Sequence, residues 1–422
     1  MTDRIRVGAD VGGTFTDVVL LTEDDRLVTA KVPSTDDQSE GVLEGIRKAC
    51  EKADLNPRDI DAFSHAMTVS TNALLEGTGA KTALVTTEGF RDVLEIGRQN
   101  RPALYDLNAE KPDPLVPRRR RFEIPERATP EGVETSPDPE AVRDLADRIR
   151  DSDAESVAIS LLHAYADPGN EQVVAEILRD ELDVPVSASH EVLAAFREYE
   201  RTSTTVVDAY VTPKIDAYLG RLVERAEDAG VPEPLVMQSN GGIADAGTVR
   251  DHAVTTCLSG PAAGVVGADA TAEGTTDARG LVTFDMGGTS SDVSLVRDGE
   301  VERTTEAEIG GRPVGTPMVD VTTVGAGGGS LAWVDAGGAL RVGPESAGAN
   351  PGPACYGPAG PTPPSRTRTS SWAISAATRP WAANSTSTSR PHTTRSRRWP
   401  TKPASIPHST PHTASTASRT RR

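Results

Sequence analysis

Near the N-terminus the chain reads Asp10-Val11-Gly12-Gly13-Thr14-Phe15-Thr16-Asp17, and 275 residues later Asp285-Met286-Gly287-Gly288-Thr289-Ser290-Ser291-Asp292. Adjacent glycines let backbone N–H groups approach a phosphate without interference from Cβ, and Thr14, Thr16, Thr289 and Ser290 offer hydroxyls to its oxygens. Asp10 and Asp285 could hold a hydrated Mg2+ between the two turns or orient an attacking water. A phosphate gripped from two sides is a geometry for phosphoryl transfer. Either copy alone reads sooner as an ordinary Gly-Gly hairpin with an Asp at the turn; the repetition reverses that in favour of the chemical reading. No G-x-x-x-x-G-K-[ST] sequence occurs, so a Walker-type loop does not explain the pattern.

Each turn follows an apolar strand (RIRVGA; GLVTF) and leads into another (VVLL; VSLV), so two similar half-domains should face each other. Between them strands alternate with helical patterns, which predicts an α/β fold with parallel or mixed sheets and flanking helices. Helices are expected at Ser39–Ala53, Glu171–Glu181 and Ser259–Ala270. A long helical block covers Glu198–Gly230, and Pro213 should end or kink it. The expected division is 1–195, 196–361 and a tail, 362–422.

The 422 residues carry 62 acidic and 44 basic side chains, for a net charge of −18. All 62 acids lie before the tail, which holds 11 of the bases. The body therefore repels polyanions and is a poor nucleic-acid binder. High acid with only seven lysines fits a protein kept soluble in concentrated salt, a halophilic habit. Cys50, Cys257 and Cys355 have no spacing for a disulfide framework, zinc site or iron–sulfur cluster, which suits a reducing cytoplasm. No apolar run reaches the ~20 residues of a membrane span, and no signal peptide is read at the N-terminus.

Other polar groups have less definite readings. His65, Thr68, Thr71 and Asn72 sit in HAMTVSTNALLEG, either a polar turn meeting substrate or a strand-to-helix junction with capping hydroxyls. Asn240-Gly241-Gly242 could be a substrate-side loop, yet Asn-Gly is also a common hairpin turn. Arg197, Glu198, Glu200 and Arg201 read as a salt-bridged helix face. Gly327–Gly329 could form an anion nest or a flexible loop.

These residues resemble the actin-like ATPase superfamily, whose two ribonuclease-H-like lobes each give a phosphate hairpin. Gly8–Leu21 resembles the first such loop, Phe284–Val293 the second, and SGPAAG (259–264) the connecting helix. More narrowly, DVGGTFTD, HAMTVSTNALLEG, REYERTSTTVVDAYVTP, MQSNGG, SGPAAG, FDMGGTSSDVSLV, VGAGGGS and GPACYG together resemble the hydantoinase A / 5-oxoprolinase family, in family order over residues 5–357. The resemblance implies duplicated ribonuclease-H-like lobes and ATP-dependent opening of a cyclic amide such as a hydantoin or 5-oxoproline through a phosphorylated intermediate. Carboxylation of a ketone, or a non-catalytic nucleotide-binding module, are the alternatives. Implied with it are ATP, Mg2+, a monovalent cation and a B-type partner subunit. On this resemblance Asp10 and Asp285 are catalytic. Gly12, Gly13, Thr14, Thr16 and Asp17 bind the nucleotide together with Gly287, Gly288, Thr289, Ser290 and Asp292. His65, Thr68, Thr71, Asn72, Asn240 and Gly241 are substrate-side candidates.

After GPACYG the resemblance stops. The tail has no Asp or Glu and is rich in Arg, Ser, Thr and Pro, so disorder is expected. An acidic gene read in another frame would give this composition, and a frameshift near residue 360 would leave a truncated, inactive chain. A genuine basic tail that binds nucleic acid or an acidic partner is the rival.

Overall fold

The computed structural model describes residues 4–12, 15–35, 37–106, 108–272, 279–288, 290–335 and 337–347. Gly13, Thr14, Thr289 and the tail lie outside them, as do Cys355 and the GPACYG segment.

The chain opens with an antiparallel meander, β1 (Arg6–Val11), β2 (Phe15–Leu21) and β3 (Leu27–Pro33). Strict alternation buries Val7, Ala9, Val11, Val18 and Leu20 and turns Asp10 and Asp17 outward. α1 (Gln38–Ala53) packs Val42, Ile46 and Ala49 on this sheet, and Asp37 caps it by accepting the Ser39 N–H. β4 (Ala62–Met67) then runs parallel to β1 and leads into α2 (Val69–Glu76).

A second sheet is built from β5 (Thr82–Thr87), β6 (Arg121–Ile124), β9 (Ser156–Ser160) and β10 (Val186–Ala188), in the order β10-β9-β5-β6 and all parallel. Between them fall the short α3 (Val93–Ile96), the hairpin of β7 (Arg127–Thr129) and β8 (Gly132–Thr135), and the helices α4 (Pro139–Arg150) and α5 (Gly169–Glu181). Every residue of β5 and β9 is buried, as expected for parallel strands covered on both faces. A short α6 (Ser189–Val192) follows β10.

The 32-residue α7 (Glu198–Ala229) lies between the two sheets. Val207, Val211, Ile215 and Leu219 join the first core, while Val206 and Ala209 meet Leu84 and Ala158 of the second. Pro213 does not end this helix, contrary to the sequence expectation. The N–H that proline lacks would have met the Ala209 carbonyl four residues back; the next carbonyl, Tyr210 O, accepts the Ala80 N–H at 2.9 Å from a different segment. The close approach depends on Gly79: a Cβ there would lie 2.1 Å from the Tyr210 ring.

β11 (Pro234–Met237) returns to the first sheet parallel to β4, and β12 (Ile243–Ala244) folds back on it, giving the order β12-β11-β4-β1-β2-β3. This sheet thus draws strands from both sides of residue 195. After α8 (Ala246–Asp251), α9 (Ser259–Ala272) precedes a third sheet. Its members are β13 (Gly280–Met286), β14 (Ser291–Arg297), β15 (Glu300–Val301) and β20 (Val321–Val324), all antiparallel neighbours. Short pairs link them: β16 (Arg303–Thr304) with β19 (Met318–Val319), and β17 (Ala307–Ile309) with β18 (Arg312–Val314). β21 (Ser330–Val334) and β22 (Leu340–Ser346) form the last hairpin. The whole is a mixed α/β fold with several sheets. The third sheet has a thin core, Ala262 and Val265 of α9 against Val296 and Val319, and exposes Val282, Phe284 and Met286.

Candidate functional site

Both glycine turns are hairpins of one design. The Gly12 N–H donates to Phe15 O at 3.0 Å, and the Gly287 N–H donates to Ser290 O at 2.9 Å. Across the strands Asp10 stands opposite Asp17, and Asp285 opposite Asp292. A third antiparallel strand extends each rung, bringing Lys31 of β3 beside Asp17 and Thr323 of β20 beside Asp292. The internal sequence repeat is therefore a repeat of three-dimensional structure.

One helix links the two hairpins. Gly260 and Gly264 lie one turn apart on α9, so they share a face. A Cβ at Gly260 would be 3.5 Å from Asp10 Oδ1, and one at Gly264 would be 3.7 Å from Asp285 Oδ2. The two aspartates thus border a single crevice, with the bare side of α9 between them.

Their electrostatics agree with that geometry. Asp10 keeps contact with solvent, yet protein crowds it on most sides. This desolvation, then the charges of Asp17 and Asp285, push its pKa up to about 6, with Lys31 opposing. Asp285 is also raised, by desolvation first and then by Asp292 and Asp17, again against Lys31. Asp285 adds to the cost of ionising Asp10, and Asp17 to that of both, a setting that suits a cation between the two hairpins. Among the described residues no three His, Cys, Asp or Glu side chains gather closely enough to hold a metal ion by themselves. Mg2+ needs fewer protein ligands, because it keeps several waters and commonly takes one or two carboxylates together with phosphate oxygens. The donor set fits such an ion.

Other sequence candidates fall in different places. Thr16 is buried with its hydroxyl turned toward Gly41 of α1, on the face opposite Asp17, so it does not line the crevice. Period-two alternation is the reason: neighbours in a strand cannot share a face. In aligned register its counterpart is Ser291, whose hydroxyl donates to Ala326 O at 2.6 Å. Thr68 does border the crevice; its methyl lies 3.6 Å from a Cβ built on Gly260, and its hydroxyl donates to Val11 O rather than capping α2.

Thr71 braces the start of α9 by accepting the Leu258 N–H at 2.9 Å, at a residue whose φ of 61° is costly for leucine. Asn72 donates to Thr68 Oγ1 and opens on the other side into a cavity of about 800 Å3 between α2 and α7. His65 is fully buried. Its Nδ1–H donates to Ala9 O and its Nε2 accepts from the Tyr218 hydroxyl at 2.8 Å; burial lowers its pKa to about 4, so the ring is a neutral brace beneath β1. Asn240 and Gly241 form the β11–β12 turn, with Gly241 at φ 84° and Asn240 Oδ1 accepting the Gly242 N–H.

The triple glycine is not an anion nest. The Gly328 and Gly329 N–H groups donate to Gly287 O and Gly288 O at 2.9 and 2.7 Å, docking this loop onto the second hairpin. A Cβ at Gly327 would lie 2.7 Å from the Gly288 backbone, which explains the residue type. In the REYERTS segment, Glu200 pairs with Arg98 and Arg197 with Glu306, while Arg201 is buried and donates to Leu161 O and Ala195 O. Among the described residues these contacts reach other segments rather than other members of the cluster, so the helix-face pairing expected from its spacing is not what forms.

Residues 6–182 match the hydantoinase/oxoprolinase N-terminal region, and residues 201–367 match the hydantoinase/oxoprolinase family that follows it. The chain belongs to the hydantoinase/oxoprolinase family. Each match contains one of the two hairpins. The caprolactamase subunit alpha of Pseudomonas jessenii is 38% identical over 370 residues, covering 85% of this chain and 53% of that protein. The 5-oxoprolinase of Saccharomyces cerevisiae is 35% identical, over 85% of this chain and 31% of its own length. The crystal structure of the ATP-dependent caprolactamase superposes with a TM-score of 0.74 at 36% identity, covering 83% of this chain and 52% of that one. Nucleotide-free acetone carboxylase gives 0.72 at 28% identity, covering 82% and 51%. This hydantoinase/oxoprolinase chain spans about half the length of the caprolactamase subunit and under a third of the yeast enzyme.

Three crevice residues of this family member had no site role in the sequence reading. Gly260 and Gly264 stood only as small residues of a helix, although their four-residue spacing marks one bare helix face. Lys31 lies in LVTAKVP, read only as a strand, and pairing register alone brings it to Asp17.

Proposed function

We propose that the chain is the nucleotide-handling part of an ATP-dependent cyclic amidase, opening a hydantoin, 5-oxoproline or similar lactam. What carries this reading is the pair Asp10 and Asp285 on one face of α9, each at the end of a glycine hairpin. On this reading the two hairpins belong to duplicated, actin-like lobes. Residues 1–195 bear the first and residues 196–361 the second, with β11 and β12 lent to the first sheet.

When bound, ATP supplies the phosphoryl group that turns an amide oxygen into a leaving group. The chain's own residues then have separable tasks. The N–H groups of Gly12 and Gly287 are given to Phe15 O and Ser290 O, so phosphate oxygens would meet the turn residues that follow, Gly13 and Gly288, with Thr14, Thr289 and Ser290. Asp10 and Asp285 would hold a hydrated Mg2+, which would shield phosphate charge. Asp10, at the end of its strand beside the turn, is also placed to orient the attacking water. Thr68 and Asn72 join the crevice to the cavity between α2 and α7, which gives a small carbonyl compound a place beside it. The caprolactamase relative is a subunit named alpha, and a B-type partner is proposed here too. The acetone carboxylase likeness supports a second substrate class, ketones, activated through the same carbonyl oxygen.

The test is phosphate release from ATP by the full chain with its partner subunit. Stimulation by a lactam that disappears in Asp10→Asn supports the reading. Stimulation by ketone plus bicarbonate alone transfers it to the carboxylases, and turnover indifferent to either compound removes it.

A further inference from the structure

The two hairpins match rung for rung except at the third strand. Asp10–Asp17 continues to Lys31, whereas Asp285–Asp292 continues to Thr323. Thr323 donates to Asp292 Oδ1 at 2.7 Å, a neutral hydroxyl bond. Lys31 instead brings an ammonium to Asp17, 2.7 Å from Oδ1 and 2.6 Å from Oδ2. It is the cationic side chain among the described residues whose field reaches both Asp10 and Asp285.

This ion pair does not hold the sheet together. Both partners are more than half exposed, and exposed pairs add little to stability. Backbone pairing already joins β2 to β3 over seven rungs. The ammonium also lies 5.0 Å from the centroid of the Phe15 ring, the residue that closes the glycine turn. The side chain thus runs toward the turn, on the crevice face, and its bond to Asp17 is cheap to exchange for a more highly charged acceptor.

We propose that Lys31 is the cation that meets the bound polyphosphate, held ready by Asp17 until an anion enters the crevice. The proposal rests on the nucleotide reading above. The asymmetry gives the hairpins different tasks. The first brings a mobile positive charge to the phosphates, and the second contributes only backbone, hydroxyl and carboxylate.

Calorimetric titration of the full chain with ATP, inorganic tripolyphosphate and adenosine tests it, at low and at raised salt. Lys31→Met should weaken ATP and tripolyphosphate binding about tenfold to a hundredfold and leave adenosine unchanged. Lys31→Arg should restore most of the loss, and the salt dependence should flatten in Lys31→Met. Asp17→Asn provides the second arm: freeing Lys31 should strengthen tripolyphosphate binding, whereas a merely structural pair predicts equal losses from either partner. Unchanged ATP and tripolyphosphate affinity in Lys31→Met overturns the assignment while nucleotide binding itself stands. Failure of the unaltered chain to bind any of the three compounds removes the nucleotide reading instead.

Discussion

The hairpin of β1 and β2 shares one large core with α1 and α7 and carries a lysine on its third strand. The hairpin of β13 and β14 rests on a four-residue core, leaves an apolar face open and carries a threonine there. Their closures differ as well. The Gly12 carbonyl accepts the Ser34 hydroxyl at 2.8 Å, a side-chain tether, whereas Gly287 and Gly288 are held by backbone N–H groups of Gly328 and Gly329. One eight-residue motif has thus been fitted to two settings. The motif fixes the turn and the two aspartates, and the neighbours fix rigidity and charge.

The largest expected effect tests whether both settings serve one ligand. Asp10→Asn and Asp285→Asn should each lower substrate-dependent phosphate release about a hundredfold or more, with far-ultraviolet circular dichroism unchanged because both side chains reach solvent. A full loss at Asp10 with none at Asp285 would make the second hairpin a structural relic.

Acid should separate the two regions next. His65 braces β1 through Ala9, and no histidine occurs between residues 253 and 391, the span of the second hairpin. Its folded pKa of about 4 lies below the ordinary histidine value of 6.5. Above pH 6.5 both folded and unfolded rings are neutral and stability is complete. As pH falls from 6.5 toward 4 the unfolded chain takes up a proton that the folded chain refuses, so stability is lost, by up to about 3 kcal/mol. Hydrogen exchange should show β1 and β4 losing protection over this window, and His65→Gln should flatten the slope. Asp208 works in the other direction. Buried between Ser187 Oγ and the Val254 N–H with its pKa raised to about 6, it costs stability as pH rises from 3.8 through 6. Measuring Asp208→Asn alongside separates the two contributions.

The two closures differ in how they can be broken. Gly327→Ala would drive a methyl into the Gly288 backbone, which has no rotamer to change, and should cost about 1–3 kcal/mol. Ser34→Ala removes one hydrogen bond and should cost about 1 kcal/mol. Thermal unfolding of the two variants ranks them, and equal shifts would mean that the glycine loop is not a clamp.

Local chemistry explains what was legible in the sequence. The hairpins, α1, α5 and the Asn240-Gly241 turn follow from glycines, caps and periodicity within a few residues. What was missed depends on partners far away in the chain. Pro213 reads as a break because proline lacks a donor, yet α7 continues through it, with residues before and after the proline packed into cores. Thr16 looked like a phosphate ligand because hydroxyls near glycines often are, and alternation against Asp17 already argued otherwise. Lys31 is one lysine in a strand until β2 and β3 pair.

The smallest effect bears most directly on whether the hairpins grip one ligand. Gly260→Ala and Gly264→Ala each add a methyl at ordinary contact distance, 3.5 Å from Asp10 Oδ1 and 3.7 Å from Asp285 Oδ2, so neither variant forces a clash. Alanine is the better helix former, and Gly264, inside α9, should gain about 1 kcal/mol of stability on substitution. Each methyl would also take space beside a carboxylate that a hydrated cation needs, so Mg2+-dependent nucleotide affinity should fall by a few-fold (about 1 kcal/mol) even as the melting temperature rises. If one ligand spans the crevice, both variants weaken it to a similar degree. Should only Gly260→Ala do so, the nucleotide belongs to the first hairpin, and the second merely closes the far wall.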